Sequence, residues 1–130
     1  MNTALILTSN ELYGLIVIQK RDISVHMQKL IQEICEKSND SVEIIATLQE
    51  KHLARWDGHT LLVEPLLTLM IEEACNATLL YEPAQDAYAL ECPNMHLLFT
   101  RYQWATDMWR ISPCKDKSTL LSSLSDILFQ

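Results

Sequence analysis

Glycine is nearly missing from this chain: Gly14 and Gly58 are the 2 present in 130 residues. Loops that cradle phosphates need several glycines at fixed spacing, so neither the dinucleotide nor the nucleoside-triphosphate pattern can be written anywhere in it. Long apolar runs are lacking too. The longest candidates, 15–18 and the 61–71 region that Glu64 interrupts, fall short of the roughly 18 residues that cross a bilayer. Leu5-Ile6-Leu7 has no basic residue before it, and no signal-type apolar run or small-residue cleavage pattern follows before Asn10 and Glu11, so a cytoplasmic protein is expected. Basic residues are absent between Arg55 and Arg101, while Asp57, Glu64, Glu72, Glu73, Glu82, Asp86 and Glu91 all lie in that interval. With a formal net charge of −7, such asymmetry repels nucleic acid and anionic membrane and draws a basic protein partner, although acidity also serves solubility alone.

What is present describes one globular domain over residues 1–130. Apolar residues make up 48% and charged ones 21%, away from the apolar-poor mixture that stays disordered. A chain of this size buries roughly two thirds of the surface that it exposes when unfolded. Cys35, Cys75, Cys92 and Cys114 are spread along a core-forming sequence, so free thiols are expected in place of a disulfide framework. Asn76-Ala77-Thr78 fits a glycosylation pattern that means nothing without a secretory route.

Periodicity then places the elements. Residues 5–7 and 15–18 read as two apolar β-type runs around a polar turn, or else Glu11-Leu12-Tyr13 continues a short helix. Ile23, Met27, Leu30, Ile31 and Ile34 fall at helical spacing. Asp40 with Glu43 matches a capping box opening a second helix, striped by Val42, Ile45, Leu48, His52, Leu53 and Trp56. Asp57-Gly58 then marks a turn, with Trp56 as a core anchor and Asp57 and His59 solvated. A short extended run over 59–63 precedes a third helix starting at Pro65, because proline suits the first helical turn. Residues 78–81 and 87–90 flank a loop over 82–86, and strands over 96–102 and 108–111 continue a meander that Pro113 closes. Ser118 can cap a last helix whose stripe is Leu120, Leu121, Leu124, Ile127 and Leu128. The fold class is α+β: N-terminal helices, then an antiparallel β-meander, then a C-terminal amphipathic helix. That last stripe either packs on the chain's own sheet or pairs two copies as a homodimer. The first is favoured, since the sheet otherwise keeps one apolar face uncovered.

The chemistry-bearing residues form no complete set. Cys92, His96 and Cys114 supply two or three metal ligands where a tetrahedral site needs four, so no metal or other cofactor is expected. A thiol enzyme needs a Cys, a His in reach and an orienting acid, and no local signature marks any Cys as the nucleophile. Glu72-Glu73 reads as a solvated helix face, since adjacent helical residues do not face each other. Arg101-Tyr102-Gln103-Trp104 and Trp109-Arg110 interleave aromatics with arginines, as single-strand binders do, but the net charge opposes phosphate. The same residue types are the hot-spot types of protein interfaces, and burial of Trp104 and Trp109 under the last helix competes with that use. The expectation is a small non-enzymatic binding protein that contacts a basic partner through Glu64, Glu72, Glu73, Glu82, Tyr102, Trp104 and Trp109. Secretion chaperones and neutralising immunity proteins share this size and charge, though no residue pattern carries the likeness. The alternative is a small hydrolase or transferase with a Cys/His/acid site.

Overall fold

The computed structural model describes residues 4–18, 22–35, 41–101 and 108–128. Its elements run β1 (Leu5–Thr8), α1 (Ser9–Ile18), α2 (Val25–Ile34), α3 (Ser41–Glu50), β2 (Ala54–Trp56), β3 (Leu61–Val63), α4 (Pro65–Cys75), β4 (Leu79–Ala84), β5 (Ala87–Glu91), β6 (His96–Arg101), β7 (Met108–Cys114) and α5 (Lys117–Leu128). This is the α+β architecture expected, with helices at both ends and the antiparallel meander β4 to β7 between them. The β-type run expected over 5–7 is β1, and what was unforeseen is its partner: it pairs antiparallel with β7, Leu5 opposite Ile111 and Thr8 opposite Met108, to give the order β1-β7-β6-β5-β4.

The β-type run over 15–18 is instead the end of α1. The reason lies at its start: the Thr8 amide donates to Glu11 Oε1 at 2.8 Å and the Glu11 amide to Thr8 Oγ1 at 3.0 Å, a reciprocal capping box that turns the chain from strand to helix. Gly14 then lets α1 approach α3 closely, since a Cβ there would lie 2.8 Å from Ile44 Cδ1 and Cγ2. The Asp40 cap proposed for α3 lies outside the described residues. At its other end α3 stops at Glu50, because His52 takes a left-handed backbone (φ 59°) and the Leu53 amide reaches back to Leu48 O at 3.0 Å. The helix therefore does not run on to Trp56. That residue sits in β2 opposite Leu61, is 44% exposed, and is not the core anchor expected of it.

The Asp57-Gly58 turn is as expected and closes the β2–β3 hairpin. Asp57 Oδ1 accepts from the Thr60 and His59 amides at 2.7 and 2.8 Å, and these bonds hold its carboxyl below the ordinary carboxylate range. Gly58 supplies the positive φ. The loop expected over 82–86 is shorter: β4 runs to Ala84 through a register shift, leaving Gln85-Asp86 as the connection. Pro113 does not end the meander but lies within β7 opposite Leu97. There β1, which reaches only to Ile111, no longer flanks β7, so the missing amide costs no ladder bond on that side.

Strand alternation gives the sheet two apolar faces. Leu7, Leu90, Leu97, Phe99, Trp109 and Ile111 join the larger core with Leu12, Leu15, Met27, Leu30, Leu48 and Leu67 from the helices. On the other face Ala87, Ala89, Leu98 and Cys114 are covered by Leu120 and Leu124 of α5. The α5 stripe is thus used within the chain, although Leu121 is 45% exposed and the Leu128 side chain lies outside the described residues. Its N-terminal cap is Asp116, whose Oδ1 accepts from the Thr119 amide at 2.7 Å, and not Ser118, which already falls inside the helix. Among the described residues no helix is long and apolar enough to cross a membrane. Leu124→Ala should cost about 2–5 kcal/mol, the range for truncating a packed core leucine. Denaturant unfolding with sedimentation checks this: a loss below ~1 kcal/mol, or a halved mass, contradicts the packing.

Candidate binding site

The capping box that opens α1 does more than start a helix. Glu11 is 1% exposed, and its Oε1 accepts not only the Thr8 amide but also Lys51 Nζ, an ion pair that ties the start of α1 to the segment just after α3. A buried carboxylate has several lone-pair sites to satisfy. Among the described residues Glu11 Oε2 has no hydrogen-bond partner, and neither has the adjacent Asn10 Oδ1, although both atoms are buried. These residues line one cavity of about 280 Å³ between α1 and α3, walled also by Glu43, Ile44, Glu50 and Met108. Carboxylates from Glu11, Glu43 and Glu50 line it together with the ammonium of Lys51. Buried acceptors without donors are uncommon in folded proteins and call for an explanation at each position.

Sequence reading passed over this site because its residues are scattered: Asn10 and Glu11 in what could be a turn, Lys51 among the last residues of a helix stripe. The signal that was present is the Thr8-x-x-Glu11 spacing, which marks a helix start. Nothing in one sequence announces that the same glutamate meets a lysine 40 residues further on.

The residues singled out from sequence are dispersed. Glu64 caps α4, accepting from the Leu67 amide at 2.8 Å. Glu72 and Glu82 are exposed on α4 and β4. Glu73 is 6% exposed, so Glu72-Glu73 is not a wholly solvated face. Its carboxylate accepts from the Asn94 backbone amide at 2.7 Å and from Asn94 Nδ2 at 3.1 Å, and so fixes the β5–β6 turn from inside. Trp109 is 1% exposed, packed on the larger core and not under α5. Arg101 lies over its ring at 4.6 Å, and Tyr88 sits at 5.8 Å between ring centroids. Its alternation with Ile111 puts it on the helix-covered face, so it offers nothing to a partner. Tyr102 and Trp104 lie outside the described residues.

A wider hollow of about 480 Å³ borders the β2–β3 hairpin by Leu53, Arg55, Leu62 and Glu64. The carboxylate on its wall is already the α4 cap, and among the described residues no buried polar atom lining it lacks a partner.

For the thiols, the structure separates what spacing had grouped. His96 and Cys114 are cross-strand partners, whereas Cys92 packs in the larger core and Cys114 in the smaller. Among the described residues no three His, Cys, Asp or Glu side chains are gathered to hold a metal ion. Burial pushes the Cys35 and Cys92 thiols up to about 12, helped at Cys92 by Glu73 and Glu91, and burial raises Cys114 as well. These sulfurs stay protonated at neutral pH, the opposite of what a nucleophile needs. No protein-family model matches the chain, and no curated protein matches it either.

Lys51→Met should cost about 3 kcal/mol, because it leaves the Glu11 carboxylate buried without its counter-ion, and adding Glu11→Gln should recover part of that loss. A double-mutant cycle by denaturant unfolding tests this; strictly additive losses would contradict the pair. A pH effect follows from the thiols. Unfolded cysteine titrates near 9.0, whereas the native Cys35 and Cys92 titrate near 12. The native chain keeps protons that the unfolded chain sheds, so this stability is complete below 9.0 and falls as pH rises toward 12. Replacing both residues by alanine should flatten that decline in denaturant midpoints taken across the window.

Proposed function

We propose that the chain is a non-enzymatic, cytoplasmic protein-binding module that holds a basic partner, in the manner of a chaperone or neutralising protein. The observation that carries this reading is the acidic α1/α3 cavity, where among the described residues Asn10 Oδ1 and Glu11 Oε2 are buried acceptors without donors. A net charge of −7 adds long-range attraction for a positive surface and speeds its approach. The alternative, a thiol hydrolase or transferase, has less behind it: burial holds Cys35, Cys92 and Cys114 away from the thiolate form.

The test is affinity capture from the native host, followed by titration calorimetry of the purified pair in rising salt. The expected partner carries net positive charge, and its affinity drops about tenfold or more between low and physiological salt, as screening of exposed charges requires. A captured partner that is neutral or acidic, or a binding constant indifferent to salt, would sink the proposal.

A further inference from the structure

We infer that β1 is a docking edge for a second copy of this chain, so that the sheets of two chains join through an antiparallel pair of β1 strands. The inference goes beyond the reading of a basic partner and does not depend on it. β1 ends the order β1-β7-β6-β5-β4, so among the described residues one of its two edges faces no strand. The capping box tells which backbone groups lie on that edge. The Thr8 amide donates to Glu11 Oε1 and not across to β7, so Thr8 turns its backbone outward, and alternation along an antiparallel ladder gives Ile6 and Ala4 the same direction. Among the described residues no hydrogen bond from outside the β1–β7 ladder reaches Ala4, Leu5, Ile6 or Leu7. Glu11 and Lys51 close the Thr8 end. The open stretch is therefore Ala4 to Ile6, where Ala4 is exposed and Ile6 half-buried.

The two edges of the sheet differ in their protection. Proteins blunt such edges with charge, proline or a bulge. β4 carries each of these, in Glu82, Pro83 and the register shift between Tyr81 and Ala84, whereas Leu5-Ile6-Leu7-Thr8 carries none. A contact from β1 to β4, which would run on from copy to copy, is thereby disfavoured, while a contact from β1 to β1 closes on itself as a symmetric dimer. The open stretch is its own complement. With Leu5 on the two-fold axis, Ile6 of each chain lies opposite Ala4 of the other, and each such pair exchanges amide and carbonyl in both directions. No charged residue lies on the stretch, so nothing in it selects a basic partner and no like charges are set face to face. The two leucines meet across the axis and extend the core on which Leu5 already packs.

The test is sedimentation equilibrium of the full chain from about 10 μM to about 1 mM, with hydrogen exchange read at the Ile6 amide. A reversible monomer–dimer equilibrium is expected, tightening as salt rises, because screening relieves repulsion between two chains of net charge −7. Binding of a basic partner weakens with salt, so the two readings stand or fall separately. Ile6→Pro removes the outward amide and spares the ladder to β7, and Ile6→Lys sets a charge on the edge. Each should raise the dimer dissociation constant at least about tenfold, while Ile6→Val holds it within about twofold. Should either variant fail to fold, the wild-type chain decides: its Ile6 amide should exchange at least about threefold more slowly at about 1 mM than at about 10 μM. A chain that stays monomeric throughout, or an Ile6 exchange rate indifferent to concentration, overturns the edge. So does a dimer that survives Ile6→Lys, such as one held through the exposed Leu121 of α5.

Discussion

A sheet that is apolar on both faces must be covered twice, and this constraint organises the chain. β5, β6 and β7 alternate so that Leu90, Leu97, Phe99, Trp109 and Ile111 look one way while Ala87, Ala89, Leu98 and Cys114 look the other. The residues differ in bulk as the covers do. Large side chains meet several helices on the first face, whereas alanines on the second leave room for a single helix to lie close. α5 supplies Leu120 and Leu124 to that narrow layer, and α1, α2, α3 and α4 fill the deep one. The sequence order follows: the helices for the deep face come before the meander, and the helix for the shallow face comes after it.

The same constraint explains why the charged cavity lies at the edge of the deep layer. Where α1 turns out of β1, the backbone needs a cap, and Glu11 provides it from a position that packing has already buried. A carboxylate in that place is tolerated because Lys51 and the Thr8 amide each give it a donor. Close approach of the two helices at Gly14 and Ile44 keeps the cavity narrow. Helix capping and the buried ion pair thus share one side chain, so Glu11 cannot be replaced without disturbing the fold.

Much of the fold was legible where a residue type has one strong conformational meaning. Pro65 announced α4, Asp57-Gly58 announced the hairpin turn, and period-two alternation announced β5 to β7. What escaped depends on context. His52 ends α3 in a conformation usually given to glycine, so the helix stripe seemed to continue to Trp56. The run over 15–18 is as apolar as a strand, and only the Thr8–Glu11 box decides for helix. Pro113 reads as a strand terminator unless it is known that β1 stops at Ile111. The acidic interval was visible, but not that Asp57, Glu64 and Glu73 spend their carboxylates on a turn, a helix cap and a loop. The cavity was least legible, since its members are far apart in the chain and meet only through packing.

The pairing of β1 with β7 also sets an order of events. Residues 5–8 leave the ribosome well before their partners at 108–111. Closing so long a loop costs entropy that no local contact repays in advance, so this edge of the sheet zips late. Thr8 and Met108 are in register with each other and both face the cavity. The cavity therefore takes its full outline only with the completed sheet: a chain halted before β7 has its helices but lacks the Met108 wall.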